Sequence, residues 1–344
     1  MTPDDGGFST ALAGYDALAR RSANEYLAAD DLSDYLRAPA QDYLSRGGKG
    51  LRPALLLATV EAYGGAVDAA VPSAAALELL HTSFLVHDDV EDDSELRRGE
   101  PTLHRRYGRG LAVNAGDGLA VVALGALRDN DRLLGRRLAK RVWSEFDFMA
   151  RQTVDGQALE LGWLRDGRND LTPDDYLDLI MKKTCWYTTV LPLRVGALIG
   201  SGGQADLEPL VRFGFYLGAA FQIRDDVLNL VGTPERYGKE PLGDLREGKR
   251  TLMLIHLLAA AGAADRARVE AWLALPASDR SPEVVAGMLD LMHRYGSIAF
   301  ADHFAHGIAG SASAAFEAAF AGLPPSDARR FVAQLIPFMI DRDR

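Results

Sequence analysis

Apolar residues recur along this chain at three- and four-residue spacing, as in Leu77, Leu80, Phe84 and Leu85. That is the period of one helical face. From about residue 10 onward the pattern predicts helix after helix, and the alternation expected of strands is nearly absent. Clusters of Gly, Pro and Asp interrupt it at 46–53, 64–72, 97–101, 165–174, 200–209, 232–248, 275–282 and 322–326. Some breaks carry helix-start signals: in Leu171-Thr172-Pro173-Asp174-Asp175, Thr172 can cap and Pro173 suits the first helical position. No break is long or polar enough to act as a linker between domains. The expectation is an all-α chain with a loose tail at 1–9 and a single helical domain over 10–344 built around one central core.

Composition narrows the function. The chain has 344 residues, 48% of them hydrophobic, enough to bury a large core. A net charge of −10 argues against nucleic acid or an anionic membrane as partner. It also means that an anionic substrate needs local Lys, Arg or metal to be held. One cysteine, Cys185, excludes an intramolecular disulfide and a Cys-based zinc site, so a reducing cytoplasm is expected. Arg20-Arg21 is followed by polar residues and makes no export signal. The purely apolar runs, such as 119–127, fall well short of the roughly 20 residues that span a bilayer, so no membrane insertion is expected.

Two acidic clusters stand out against this apolar background. One is His87-Asp88-Asp89-Val90-Glu91-Asp92-Asp93, followed by Arg97-Arg98-Gly99; the other lies in Phe221-Gln222-Ile223-Arg224-Asp225-Asp226-Val227-Leu228-Asn229. On a helix, positions i and i+4 share a face about 6 Å apart, so Asp88 with Asp92, and Asp225 with Asn229, form oxygen-rich pairs. Burying such charge alone is costly. Mg²⁺ shared with a polyphosphate resolves the conflict, because this hard cation takes carboxylate and phosphate oxygens together.

Four basic elements complement them. Arg46-Gly47-Gly48-Lys49-Gly50-Leu51-Arg52-Pro53 precedes an apolar helix, and Pro53 suits its first position, leaving glycines and unpaired N–H groups as an anion-binding end. An ordinary Gly-rich turn with solvated basic residues would look the same. Arg97-Arg98 suit a phosphate shared between guanidinium and metal. Lys182-Lys183-Thr184 open an apolar helix, and the glycine-punctuated segment 237–250 holds Lys239 and Lys249 on either side of Asp244, as a flap over phosphates would. Together they call for two polyphosphates and several Mg²⁺ ions. His87 points off the acidic face, and His303 with His306 lacks a third ligand; all three read as structural or surface residues.

The motifs GGKGLRP (47–53), ELLHTSFLVHDDVEDDSELRRG (78–99), GQALEL (156–161), KT (183–184), FQIRDDVLN (221–229) and GKEPLGDLREGK (238–249) resemble, in order, those of the trans-isoprenyl diphosphate synthases, the polyprenyl synthetase family. The resemblance covers nearly everything from about residue 40 to 310 and is most similar to short-chain geranylgeranyl diphosphate synthases. It implies helices packed around a deep central cavity, a homodimer, and Mg²⁺-dependent head-to-tail condensation of isopentenyl diphosphate with an allylic diphosphate. By position, Asp88, Asp89 and Asp92, with Asp225 and Asp226, match the metal motifs, implying about three Mg²⁺ ions. Lys49, Arg52, His81 and Arg98 match the isopentenyl diphosphate site. Arg97, Lys183, Thr184, Gln222, Lys239 and Lys249 match the allylic side. Asn229 departs from the third aspartate of its motif, and Glu160 stands where Asp is common, one methylene longer.

Product length is expected to be set along the first acidic helix, N-terminal to Asp88, at Phe84 and deeper at Leu80, with small Ser83 rotated away. The motif similarity favours a C20 product, with farnesyl and geranylfarnesyl diphosphate as alternatives. A terpene cyclase would not need Lys49, Arg52, His81 and Arg98, and a non-catalytic partner subunit would not need both acid motifs.

Overall fold

The computed structural model describes residues 5–232 and 242–340. The first five long elements are α1 (Asp5–Ala29), α2 (Asp34–Ser45), α3 (Leu51–Ala62), α4 (Val71–Glu91) and, after the short α5 (Leu103–Tyr107), α6 (Arg109–Arg128). They are followed by α7 (Asn130–Leu134), α8 (Arg136–Arg165), α9 (Pro173–Ile180), a π-helical stretch Met181–Val190, α10 (Leu191–Gly200) and α11 (Glu208–Val231). The C-terminal region holds α12 (Gly243–Glu247), α13 (Leu252–Ala260), α14 (Ala263–Leu273), α15 (Pro282–Arg294), α16 (Ser297–Ala319) and α17 (Asp327–Ile340). The fold is all-α. Among the described residues, extended structure is confined to an antiparallel hairpin of Leu96–Arg97 with Glu100–Pro101.

α4 is the central element. Its residues from Pro72 to Ser83 are buried, and it packs on α6, α1 and α3, while α11 packs on α16 and on the π-helical stretch. α9 starts as its sequence predicts: Thr172 and Asp175 form a reciprocal capping box ahead of Pro173. α8 meets the π-helical stretch at Gly156, where a Cβ would run into the Lys183 backbone, so only glycine lets the two approach this closely.

Three expectations change. The tail expected at 1–9 is already helical from Asp5, because Phe8 continues the apolar stripe of α1, is only 8% exposed, and stacks 4.9 Å from Phe331. Pro53 is the third residue of α3, not the first, and Gly50 at φ 61° is the N-cap. The spans Val67–Glu91 and Arg109–Leu134 are long and apolar enough to cross a membrane, although their uninterrupted apolar runs are short. In the first, 78% of the most apolar window is buried against neighbouring helices, as in a core helix.

Candidate active site

α4, α8, α9, the π-helical stretch and α11 enclose a cavity of about 450 Å³, and the segment after α12 closes one side. Its polar lining falls into a carboxylate-rich end and a cation-rich end, and the rest of the wall is apolar. Phe84, Leu85, Val154, Ala158, Leu161, Leu179, Ile180 and Phe221 supply most of that wall.

At the carboxylate-rich end, the C-terminal turn of α4 presents Asp88, which accepts from Arg97 Nη2 at 3.1 Å and lies 3.5 Å from Lys183 Nζ. Lys183 also pairs with Glu160. Burial opposes the Lys183 charge, yet Glu160 and Asp88 outweigh it and hold the ammonium above its ordinary pKa. Lys249 Nζ lies 2.7 Å from Asp92, 3.0 Å from Glu247 and 3.5 Å from Asp244. Carboxylates outnumber cations here, and their acidities show it. Burial and the nearby Asp88 push Asp92 up to about 6. Burial, with Asp244 and Asp225 beside it, pushes Asp226 up to about 8, and Glu247 rises to about 7 through burial and its acidic neighbours. Asp226 accepts from Tyr176 Oη and Gln222 Nε2, both at 2.7 Å, and Thr184 Oγ1 donates to Gln222 Oε1 at 3.0 Å.

The hairpin after α4 divides its two arginines between the ends. Arg98 and Gly99 both have positive φ, 58° and 79°, as a tight two-residue turn requires. Arg97 therefore turns inward, its Nε donating to Asp89 at 2.7 Å, while Arg98 reaches the loop of Gly48. At the cation-rich end the Arg52 guanidinium lies 4.7 Å above the Tyr187 ring, and His81 stacks on the same ring at 5.6 Å. Burial, reinforced by Arg52, Arg98, Arg97 and Arg20, holds the His81 imidazole well below its usual pKa and hence neutral.

Among the described residues, no three His, Cys, Asp or Glu side chains converge as a ready-made metal cage. The carboxylates that line the cavity are Asp88, Glu91, Glu160, Asp225, Asp226 and Asp244, an all-oxygen set with Lys183 and Lys249 among them, while Asp92 sits behind the lining on Lys249. That set suits Mg²⁺, a hard cation that takes one or two carboxylates and completes its shell with water and phosphate.

The polyprenyl synthetase family profile matches residues 33–292, most of the chain. The chain belongs to the polyprenyl synthetase family. A short chain isoprenyl diphosphate synthase of Methanothermobacter thermautotrophicus is 35% identical over 309 residues, 90% of each chain. The crystal structure of a geranylgeranyl pyrophosphate synthetase from Pyrococcus horikoshii superposes with a TM-score of 0.85 at 30% identity, covering 98% of this chain and 99% of that one. A polyprenyl synthase from Caulobacter crescentus, solved with calcium and isoprenyl diphosphate, gives 0.84 at 27% identity, covering 98% of each. The chain is an isoprenyl diphosphate synthase, a prenyltransferase.

Within this synthase, Asp88, Asp225, Asp226, Arg97, Lys183, Thr184, Gln222 and Lys249 line one cavity with Arg52 and His81. Lys49 is exposed in the loop between α2 and α3. Lys239 lies outside the described residues. Asp89 faces away from the cavity: only 1% exposed, it accepts from Tyr43 Oη at 2.6 Å and from Arg97, so its oxygens orient the arginine. Asn229 Oδ1 accepts from the Asp244 amide at 3.2 Å and so steadies the turn that carries Asp244. The expected length-setting positions Leu80 and Ser83 are buried in the core and do not reach the cavity wall. Phe84 does line the cavity, edge-on to Tyr187 at 5.8 Å. Tyr187, Asp244 and Tyr176 were missed as site residues. Tyr187 sits four positions after Lys183, a spacing that could have found it; the Tyr176–Asp226 and Tyr43–Asp89 contacts span 50 and 46 positions, and no local pattern announces them.

Proposed function

We propose that the synthase condenses isopentenyl diphosphate head-to-tail with an allylic diphosphate and releases geranylgeranyl diphosphate. The observation that carries this reading is one apolar cavity with differently charged ends, a carboxylate-rich one for a metal-bound diphosphate and a cation-rich one for a bare diphosphate. Asp88 from α4 and Asp92 just after it, with Asp225 and Asp226 from α11, would hold about three Mg²⁺ ions together with the allylic diphosphate oxygens. Bound Mg²⁺ would supply Lewis-acid stabilisation of the charge that develops on the leaving diphosphate.

The chain's own residues do the rest. Arg97, fixed by Asp89, and Lys183 and Lys249 set positive charge beside the allylic diphosphate, so that the C–O bond breaks with its electron pair on oxygen. Arg52, Arg98, neutral His81 and Lys49 orient isopentenyl diphosphate, whose double bond attacks the allylic carbon; loss of a proton to the departing diphosphate completes the product. Phe84, Leu85, Leu161, Leu179 and Ile180 keep water from the cation. Similarity to geranylgeranyl synthases supports a C20 product, with Phe84 and Tyr187 as the stop.

The reading includes a homodimer. Val121 and Leu124 of α6, with Trp143 and Phe148 of α8, are 44–64% exposed and form the kind of apolar face that an interface covers. Sedimentation at micromolar concentration should find a species twice the 37.2 kDa chain. A cytoplasmic setting fits Cys185, buried and held in its thiol form. The decisive experiment is incubation with Mg²⁺, isopentenyl diphosphate and an allylic diphosphate, with mass spectrometry of the product. No chain extension would refute the reading, and C15 or C25 alone would refute the length.

A further inference from the structure

The N-terminal helix contributes to the cation-rich end in a way that no motif announces. Arg20 of α1 donates through Nε to both carboxylate oxygens of Asp16, at 2.8 and 2.7 Å, and its Nη2 lies 3.4 Å from Glu78 of α4. These bonds aim the guanidinium at the glycine loop before α3. A Cβ on Gly48 would fall 2.6 Å from Arg98 Nη2 and 3.2 Å from Arg20 Nη2, and a Cβ on Gly50 would overlap the Asp16 side chain. The two glycines are thus required by α1 and the hairpin as much as by the loop's own path, and Arg20 and Arg98 stand side by side over Gly48.

Two further facts point to an anion. Arg20 Nη1 and Nη2, Arg52 Nε and His81 Nδ1 are buried and have no hydrogen-bond partner among the described residues. Buried donors are rarely left so, and guanidinium groups crowded together repel unless an anion joins them. Asp16 and Glu78 offset only part of the charge of Arg20, Arg52 and Arg98: Arg98, half hidden from water, is held below its ordinary pKa by burial and by Arg20 and Arg97. A diphosphate offers both the acceptors and the missing charge.

We propose that Arg20 is a further binding residue for the diphosphate of isopentenyl diphosphate, with Asp16 as its positioning residue. The proposal rests on the assignment of the cation-rich end to that substrate. The test compares Arg20→Gln, which retains hydrogen-bonding reach to Asp16 but loses the charge, and Arg20→Lys with Arg52→Ala as reference, all in the full chain. Arg20→Gln should raise KM for isopentenyl diphosphate about tenfold or more. The allylic KM, kcat and thermal midpoint should stay near wild type, and Arg20→Lys should recover some of the loss. Competition by inorganic diphosphate against isopentenyl diphosphate should weaken in parallel. If Arg52→Ala raises that KM and Arg20→Gln does not, Arg20 is only a tie between helices and the proposal is wrong. Equal changes in both KM values with a lowered thermal midpoint would overturn it as well. If Arg52→Ala also leaves the constant unmoved, the assignment of that end falls, and the proposal with it.

Discussion

The two ends of the cavity solve opposite electrostatic problems with similar materials. Around Asp88, Asp92, Asp226, Asp244, Glu160 and Glu247 the carboxylates are in surplus, and Lys183, Lys249 and Arg97 are embedded among them with their charges locked on. Around Arg20, Arg52, Arg98 and His81 the cations are in surplus, and the imidazole that could have added another stays neutral. The first end needs added positive charge before it can hold an anion, whereas the second can take a diphosphate directly. A substrate whose diphosphate must leave is best placed where metal and lysine can stabilise the departing charge. One whose diphosphate is only a handle needs no metal.

The largest expected effect lies at the carboxylate-rich end. Asp88→Ala or Asp225→Ala should lower turnover on the order of a hundredfold or more while leaving the thermal midpoint near wild type, because each removes a charge placed toward the cavity. Near-normal steady-state turnover in Asp88→Ala would break the contrast at once. Next comes the partition of binding. Arg52→Ala should raise KM for isopentenyl diphosphate about tenfold or more and leave the allylic constant nearly unchanged, and Lys183→Ala should do the reverse, each losing a charge-assisted bond of about 1.5–3 kcal/mol. Equal shifts in both constants would mean that the ends are not specialised.

A smaller effect belongs to the apolar wall. Removing the ring that meets Tyr187, in Phe84→Ala, should lengthen the main product by at least one C5 unit, read by mass spectrometry. An unchanged distribution would move the stop to α8 or α9. The smallest effect is on pH. The His81 pKa in the folded chain lies well below 6.5, so as pH falls through that value the unfolded chain takes up a proton that the folded chain refuses. Its contribution to stability is therefore complete above pH 6.5 and is lost below it, at up to about 1.4 kcal/mol per pH unit. Thermal melts between pH 7.5 and 5.5 should show a steeper acid decline in wild type than in His81→Gln.

Much of this was legible in the chain. The three- and four-residue apolar spacing of α4 and the Thr172 cap of α9 place their helices correctly, because local sequence dictates both. The acidic and basic clusters locate the cavity, since charge set into apolar helices has few other uses. What failed is tertiary. Nothing near Asp89 says that Tyr43 and Arg97 will take its oxygens, and nothing near Leu80 says that it will pack into the core while Phe84 and Tyr187 line the cavity. Phe8 looks like tail in the sequence because its partners, Phe331 and Phe338, lie at the other end of the chain.

The π-helical stretch Met181–Val190 bears on how relatives of this chain should be aligned. Its hydrogen bonds close one residue later than in an α-helix, so it holds one residue more than a regular helix over the same path. Removing that residue would restore ordinary winding over the same path, keeping α9 and α10 in register but displacing the side chains between them, Lys183 and Thr184 among them. A residue lost from the surface turn at 165–172 would cost little. A one-residue gap in a family alignment therefore fits either place, and within Met181–Val190 its position decides whether Lys182 or Lys183 is matched to the site.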